Sequence, residues 1–107
     1  MTETRDCSPA KAMVRVLAAL SDENRFRIVE LLSVEPSDLP CGTIGKSLGL
    51  SPSLISHHLS VLEGAGIIER HRNGLWTLNR LKREELSRHL AALERLLRPT
   101  PTPTPNA

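Results

Sequence analysis

Between Leu48 and Pro52 the chain stops one helix and starts another within a few residues. Gly49 stands where a tight helix-to-helix turn needs a left-handed residue. Ser51-Pro52 then pairs a hydroxyl N-cap with a proline at the first helical position. The apolar spacing predicts a short helix from about Cys41 to Leu48, with Ile44 and Leu48 inward, and a longer one from Ser51 to about Ala65, where Gly66 ends it. Everything else in the chain must accommodate this pair.

Upstream, Ser8-Pro9 repeats the start signal, and Met13, Val16, Leu17 and Leu20 form an apolar stripe. Ser21-Asp22 breaks and recaps the chain. A second helix follows, with Phe26, Val29 and Leu32 on its apolar face, Ile28 and Leu31 flanking, and an end near Ser33. Val34 to Leu39 reads as a loop. Downstream, two short segments, Ile67–Arg70 and Leu75–Leu78, flank the turn His71-Arg72-Asn73-Gly74, a hairpin signal. Trp76 is expected in the core. Helical spacing returns from Leu81 to Leu97, with a stripe of Leu86, Leu90, Leu93 and Leu97. Residues 1–7 read as a flexible arm, 8–98 as one folded domain, and 99–107 as a disordered Pro/Thr tail. The predicted class is mainly α with a small β-hairpin, in the order of four helices, hairpin and helix.

Composition fits that class. The chain has 107 residues, one Phe, one Trp and no Tyr, so Leu, Ile, Val and Ala must fill its core. So short a chain buries a modest share of its surface, and a second subunit is a natural supplement. The net charge is only +2, but its distribution is uneven. Arg70, Arg72, Arg80, Lys82 and Arg83, with His71, crowd around the hairpin and face one neighbouring acid, Glu69.

Helix, Gly-centred turn and helix form the unit that places a recognition helix in the DNA major groove. At about 100° per residue, Ile55, Leu59 and Leu62 share one side of that helix, with His58 at its border and packed. Ser53, Ser56, His57 and Ser60 fall on the other. Small hydroxyls and an imidazole can approach base edges, and Ser51 and Ser53 at the helix start can place backbone N–H groups at a phosphate. A ribbon bearing Arg70, His71 and Arg72 beside them would reach the flanking phosphates or the minor groove, contacts that supply affinity rather than sequence choice.

Two stretches carry a family resemblance: Leu17-Ala-Ala-Leu-Ser-Asp-Glu-Asn-Arg-Phe-Arg-Ile-Val-Glu-Leu-Leu32 and Leu48-Gly-Leu-Ser-Pro-Ser-Leu-Ile-Ser-His-His-Leu-Ser-Val-Leu-Glu-Gly-Ala-Gly-Ile-Ile68. With the short hairpin and the leucine-rich last helix, residues 10–97 resemble the ArsR/SmtB family of winged helix-turn-helix repressors. The resemblance implies a homodimer joined through the first and last helices, a palindromic double-stranded DNA operator, and release by an inducer.

The inducer is less legible. Metal-sensing members of the family commonly carry Cys-x-Cys at the start of the third helix; here Leu39-Pro40-Cys41-Gly42-Thr43 has one thiol. The last-helix zinc pattern is absent too, with His89 followed by Ala92 three residues on. Zinc is therefore not expected, because a tight site needs three or four ligands. Cys7 and Cys41 together could hold a soft metal ion or an arsenical, or form a reversible disulfide or persulfide bridge; they could equally be structural thiols. No cofactor is otherwise implied.

No apolar run reaches membrane-spanning length and the first residues lack a signal-peptide core, so a cytoplasmic location and reduced cysteines are expected. An enzyme is not expected, since no nucleophile, base and orienting group fall together and no phosphate-binding glycine loop is present. A winged-helix module that binds protein rather than DNA is the remaining alternative. The basic hairpin argues against it.

Overall fold

The computed structural model describes residues 9–99. The expected arm with Cys7, the Ser8 cap and the tail from residue 100 lie outside the described residues. Among those described, the order is α1 (Pro9–Leu20), α2 (Glu23–Val34), β1 (Leu39–Pro40), α3 (Cys41–Leu48), α4 (Pro52–Gly64), β2 (Ile68–Asn73), β3 (Trp76–Leu81) and α5 (Arg83–Leu97). This is the predicted helical order with one strand added.

The core is aliphatic, as the scarcity of aromatics requires. Val16 and Ala19 of α1, Ile28, Val29 and Leu32 of α2, and Ile44 of α3 close on Ile55, Leu59 and Leu62 of α4. Ile67 and Ile68 seal the sheet end. Phe26 departs from the expected stripe and is half exposed. The buried face of α2 is centred among Ile28, Val29 and Leu32, and Phe26 lies about 110° around the helix from that centre.

Local chemistry explains where the helices begin and end. Asp22 caps α2 by accepting the Arg25 N–H at 3.0 Å. That bond, ahead of the nearby charge of Arg25, holds the Asp22 carboxyl below its ordinary pKa. Ser51 caps α4 by accepting the Leu54 N–H at 3.3 Å, with Pro52 next. The α3 end is a Schellman motif: Leu50 N–H donates to Gly45 O at 2.9 Å and Gly49 N–H to Lys46 O at 3.4 Å. Gly49 has φ +70°, which a Cβ would strain.

The sheet order is β1-β3-β2, antiparallel throughout. Two corrections follow. β1 lies in the stretch read as a loop: Pro40 lacks an N–H, and a two-residue edge strand ending in proline leaves no alternation to detect. The hairpin strands also run longer than expected. Asn73 pairs with Trp76, so only Gly74-Leu75 forms the loop, with Gly74 at φ +66°.

Candidate nucleic-acid interface

The turn between α3 and α4 fixes how α4 projects. Gly45 is buried, and a Cβ there would sit 3.2 Å from the Leu50 carbonyl oxygen, so α3 approaches the turn as closely as glycine permits. Ile55, His58, Leu59 and Leu62 anchor α4 in the core. On its other side Ser53, Ser56, His57 and Ser60 are all exposed, as is the capping Ser51. The four residues expected to face base edges therefore share one solvent-facing surface with the helix start.

His58 is buried, and Arg25 Nη1 lies 3.3 Å from its Nδ1. Arg25 also donates through Nε to Ala19 O at 2.7 Å, at the end of α1. One guanidinium thus ties α1 and α2 to the back of the recognition helix. Nothing in the spacing of polar residues distinguishes Arg25 from its exposed neighbour Arg27.

The wing divides by strand register. Ile68, Arg70 and Arg72 share a face with Leu81, Asn79 and Thr77; Glu69, His71 and Asn73 share the other with Arg80, Leu78 and Trp76. The first face packs on the domain, since Ile68 and Asn79 are buried. Arg72, farthest out on that face, is exposed and makes no ion pair among the described residues. Arg70, closer in, has a side chain only 18% exposed, with Nη1 3.8 Å from Glu63 Oε1 of α4 and Nη2 3.7 Å from Cys41 Sγ. Arg70 is thus a strut at the root of the wing, and Arg72 stands near its tip with no ion pair among the described residues.

Much of the rest of the basic run has partners within the chain. Asp38 lies 3.4 Å from His71 Nε2 and 3.2 Å from Arg80 Nη2, and Arg83 Nη2 donates to Ser33 O, near the end of α2, at 2.8 Å. Trp76 corrects a core expectation: it is 63% exposed, beside Leu75 at 94%. Its pairing with Asn73 puts it on the outer face at the last rung, away from the buried core.

Cys41 opens α3 and is partly exposed. Among the described residues no group of three or more His, Cys, Asp or Glu side chains is placed to hold a metal ion. The fully buried Asn79, which sequence reasoning did not single out, donates through Nδ2 to Leu39 O at 3.0 Å and to Cys41 Sγ at 3.6 Å. In sequence it stands between Leu78 and Arg80, and on its face of β3 between Thr77 and Leu81, so the alternation of polar and apolar residues does not mark it.

Residues 22–70, from the α2 cap to the wing root, match the sequence profile of the bacterial regulatory proteins of the arsR family. An ArsR-like transcriptional regulator from Rhodococcus sp. RHA1 superposes with TM-score 0.72 at 30% identity, over 81% of this chain and 80% of that one. The chain belongs to the ArsR family. Its architecture is the family's winged helix-turn-helix, and its relatives are transcriptional regulators rather than enzymes. The transcriptional repressor SdpR of Bacillus subtilis is 39% identical over 62 residues, 58% of this chain and 67% of SdpR. Several other curated relatives are matched over about half of their length. A homodimeric winged helix-turn-helix DNA-binding domain from Mycobacterium bovis shares the fold, with TM-score 0.68 at 24% identity over 91% of this chain and 90% of that one. No helix among the described residues is long and apolar enough to cross a membrane.

Proposed function

We propose that this ArsR-family regulator is a cytoplasmic repressor that binds a palindromic double-stranded DNA operator as a homodimer and is released by an inducer or by thiol modification. The observation that carries the reading is the shared exposure of Ser53, Ser56, His57 and Ser60 on a helix whose opposite side is locked into the core, with Arg72 exposed on the adjoining wing. The serines and His57 would choose the sequence through base edges. Ser51, the helix start and Arg72 would hold phosphates.

The homodimer has its own support. No residue of α5 is buried, and Leu96 and Leu97 are 78% and 81% exposed. Val14 and Leu17 of α1 are exposed as well, and α1 and α5 are in contact. Burying a leucine is worth about 1.5–3 kcal/mol. Two copies burying these residues together gain on the order of ten kcal/mol, comparable with the roughly 4–15 kcal/mol that association costs. A two-fold pair of reading heads in turn matches a palindromic site.

The test compares His57→Ala and Ser56→Ala on operator and on unrelated DNA. Each should weaken operator binding by about 1–3 kcal/mol and leave non-specific binding nearly unchanged. Equal losses on both DNAs would remove these side chains from sequence reading.

A further inference from the structure

Among the described residues, the buried side-chain polar atoms left without a hydrogen-bond partner are Arg70 Nε and Asn79 Oδ1. They come from different strands and are chemically opposite, one a donor and one an acceptor. Both belong to the side chains whose other nitrogens reach a single sulfur: Arg70 Nη2 at 3.7 Å and Asn79 Nδ2 at 3.6 Å from Cys41 Sγ. Asn79 is fully buried, so its orphaned oxygen has no bulk solvent to turn to. A buried unmet polar group costs about 1–3 kcal/mol. The thiol itself donates to Thr77 O at 3.9 Å, and a group at that sulfur able both to accept and to donate would answer both neighbouring side chains.

We propose, resting on the repressor reading above, that Cys41 is a peroxide-responsive thiol whose sulfenic acid is held by Arg70 and Asn79 and weakens DNA binding. The sulfur attacks one peroxide oxygen, an S–O bond forms as the O–O bond breaks, and the thiol hydrogen leaves in water: Cys-SH and H2O2 give Cys-SOH and H2O. Sulfur is oxidised by two electrons and the peroxide is reduced by two. The new oxygen accepts from Arg70 Nε, and its hydrogen is donated to Asn79 Oδ1, so one added atom satisfies both orphans.

Access and consequence follow from the same neighbourhood. Cys41 is partly exposed and borders a cleft of about 500 Å³ between α3 and α4, with Gly45, Leu50, Ile55 and Ser56 also on its walls. Arg70 joins three parts of the reading head, because it stands on β2, pairs with Glu63 of α4 and touches the first residue of α3. Drawing its guanidinium onto an oxygen at Cys41 loosens the Glu63 pair and shifts the strand that carries Arg72. The device needs one thiol and no partner from Cys7.

The test uses the full chain, its Cys7→Ser and Cys41→Ser variants, and hydrogen peroxide. Dimedone trapping with peptide mass analysis reads the sulfenic acid, and fluorescence anisotropy with DNA from upstream of the protein's own gene reads binding. Peroxide should give a dimedone adduct on Cys41 in both the unaltered chain and Cys7→Ser, raise the Kd of both by about tenfold, and be reversed by dithiothreitol. Cys41→Ser should bind DNA and ignore peroxide. An unlabelled Cys41 in Cys7→Ser, or a labelled one with unchanged affinity, would overturn the proposal. Failure of the reduced chain to bind DNA would instead overturn the repressor reading.

Discussion

The reading head and the α1–α5 pair are built from the same aliphatic alphabet, yet one is finished within a single chain and the other is not. In the head, the inward side of α4 is buried, its start is capped by Ser51, and its outward side carries serines and His57. In α5 the leucine spacing is at least as regular, but no position is buried: Leu86 packs on the core, while Leu90, Leu96 and Leu97 stay exposed. Periodicity reports that a face is apolar, not whether the same chain covers it. A completed face marks where this chain is self-sufficient, and a bare one is the face that the proposed homodimer would cover.

That contrast can be broken at its weak side first. Leu90→Glu adds a charge to a surface already half exposed in one chain, so the fold should survive with unchanged circular dichroism. The charge cannot be buried against a second copy. Sedimentation should show a monomer, and operator affinity should fall by about 100-fold or more as the second reading head is lost. A dimer that persists with full affinity would move the interface elsewhere.

Substitution in the finished half should act on stability instead. Gly45→Ala pushes a methyl against the Leu50 carbonyl, a backbone atom that cannot swing aside. Unfolding by urea should show a loss of about 1–3 kcal/mol; an unchanged midpoint would mean that the turn has slack. Acid should act on the same half at the Asp22 cap. A carboxyl whose pKa is lowered in the folded state contributes stability that is present above its unfolded pKa and lost as pH falls through its folded one. Asp22→Asn should therefore flatten the acid limb of a thermal-stability profile below pH 4, and an unaltered limb would assign it to other carboxyls.

Smaller effects separate the two wing arginines. Arg72→Ala should weaken operator and non-specific DNA alike and lower the salt slope by about one unit. An unchanged slope would take the wing tip off the phosphates. Trp76→Ala should move stability by less than about 0.5 kcal/mol, because the ring is mostly exposed. A larger loss would show that something covers it, the second copy included.

The parts of this molecule legible in sequence are those fixed by neighbours along the chain. The caps at Asp22 and Ser51, the left-handed Gly49 and the boundaries of α3 depend on residues within one turn, and each is found where those residues put it. Arg70, Trp76 and Asn79 escaped because strand register decides their surroundings. Arg70 and Arg72 look alike until pairing with Asn79 and Thr77 sets one at the root and the other near the tip. The chemistry of Trp76 points to the core, but at the last rung of the hairpin no described residue buries it. Cys41 joined its cradle through Asn79, 38 residues away, and no local pattern announces such a contact.

The central claim is a dimer that grips DNA through phosphates and reads it through α4. Its most direct test is a stoichiometric titration of the reduced chain onto DNA from upstream of its own gene, followed by affinity across a range of salt. The account predicts two chains per operator and a Kd that rises steeply with salt, as released counterions require. One chain per site, or an affinity indifferent to salt, would contradict it.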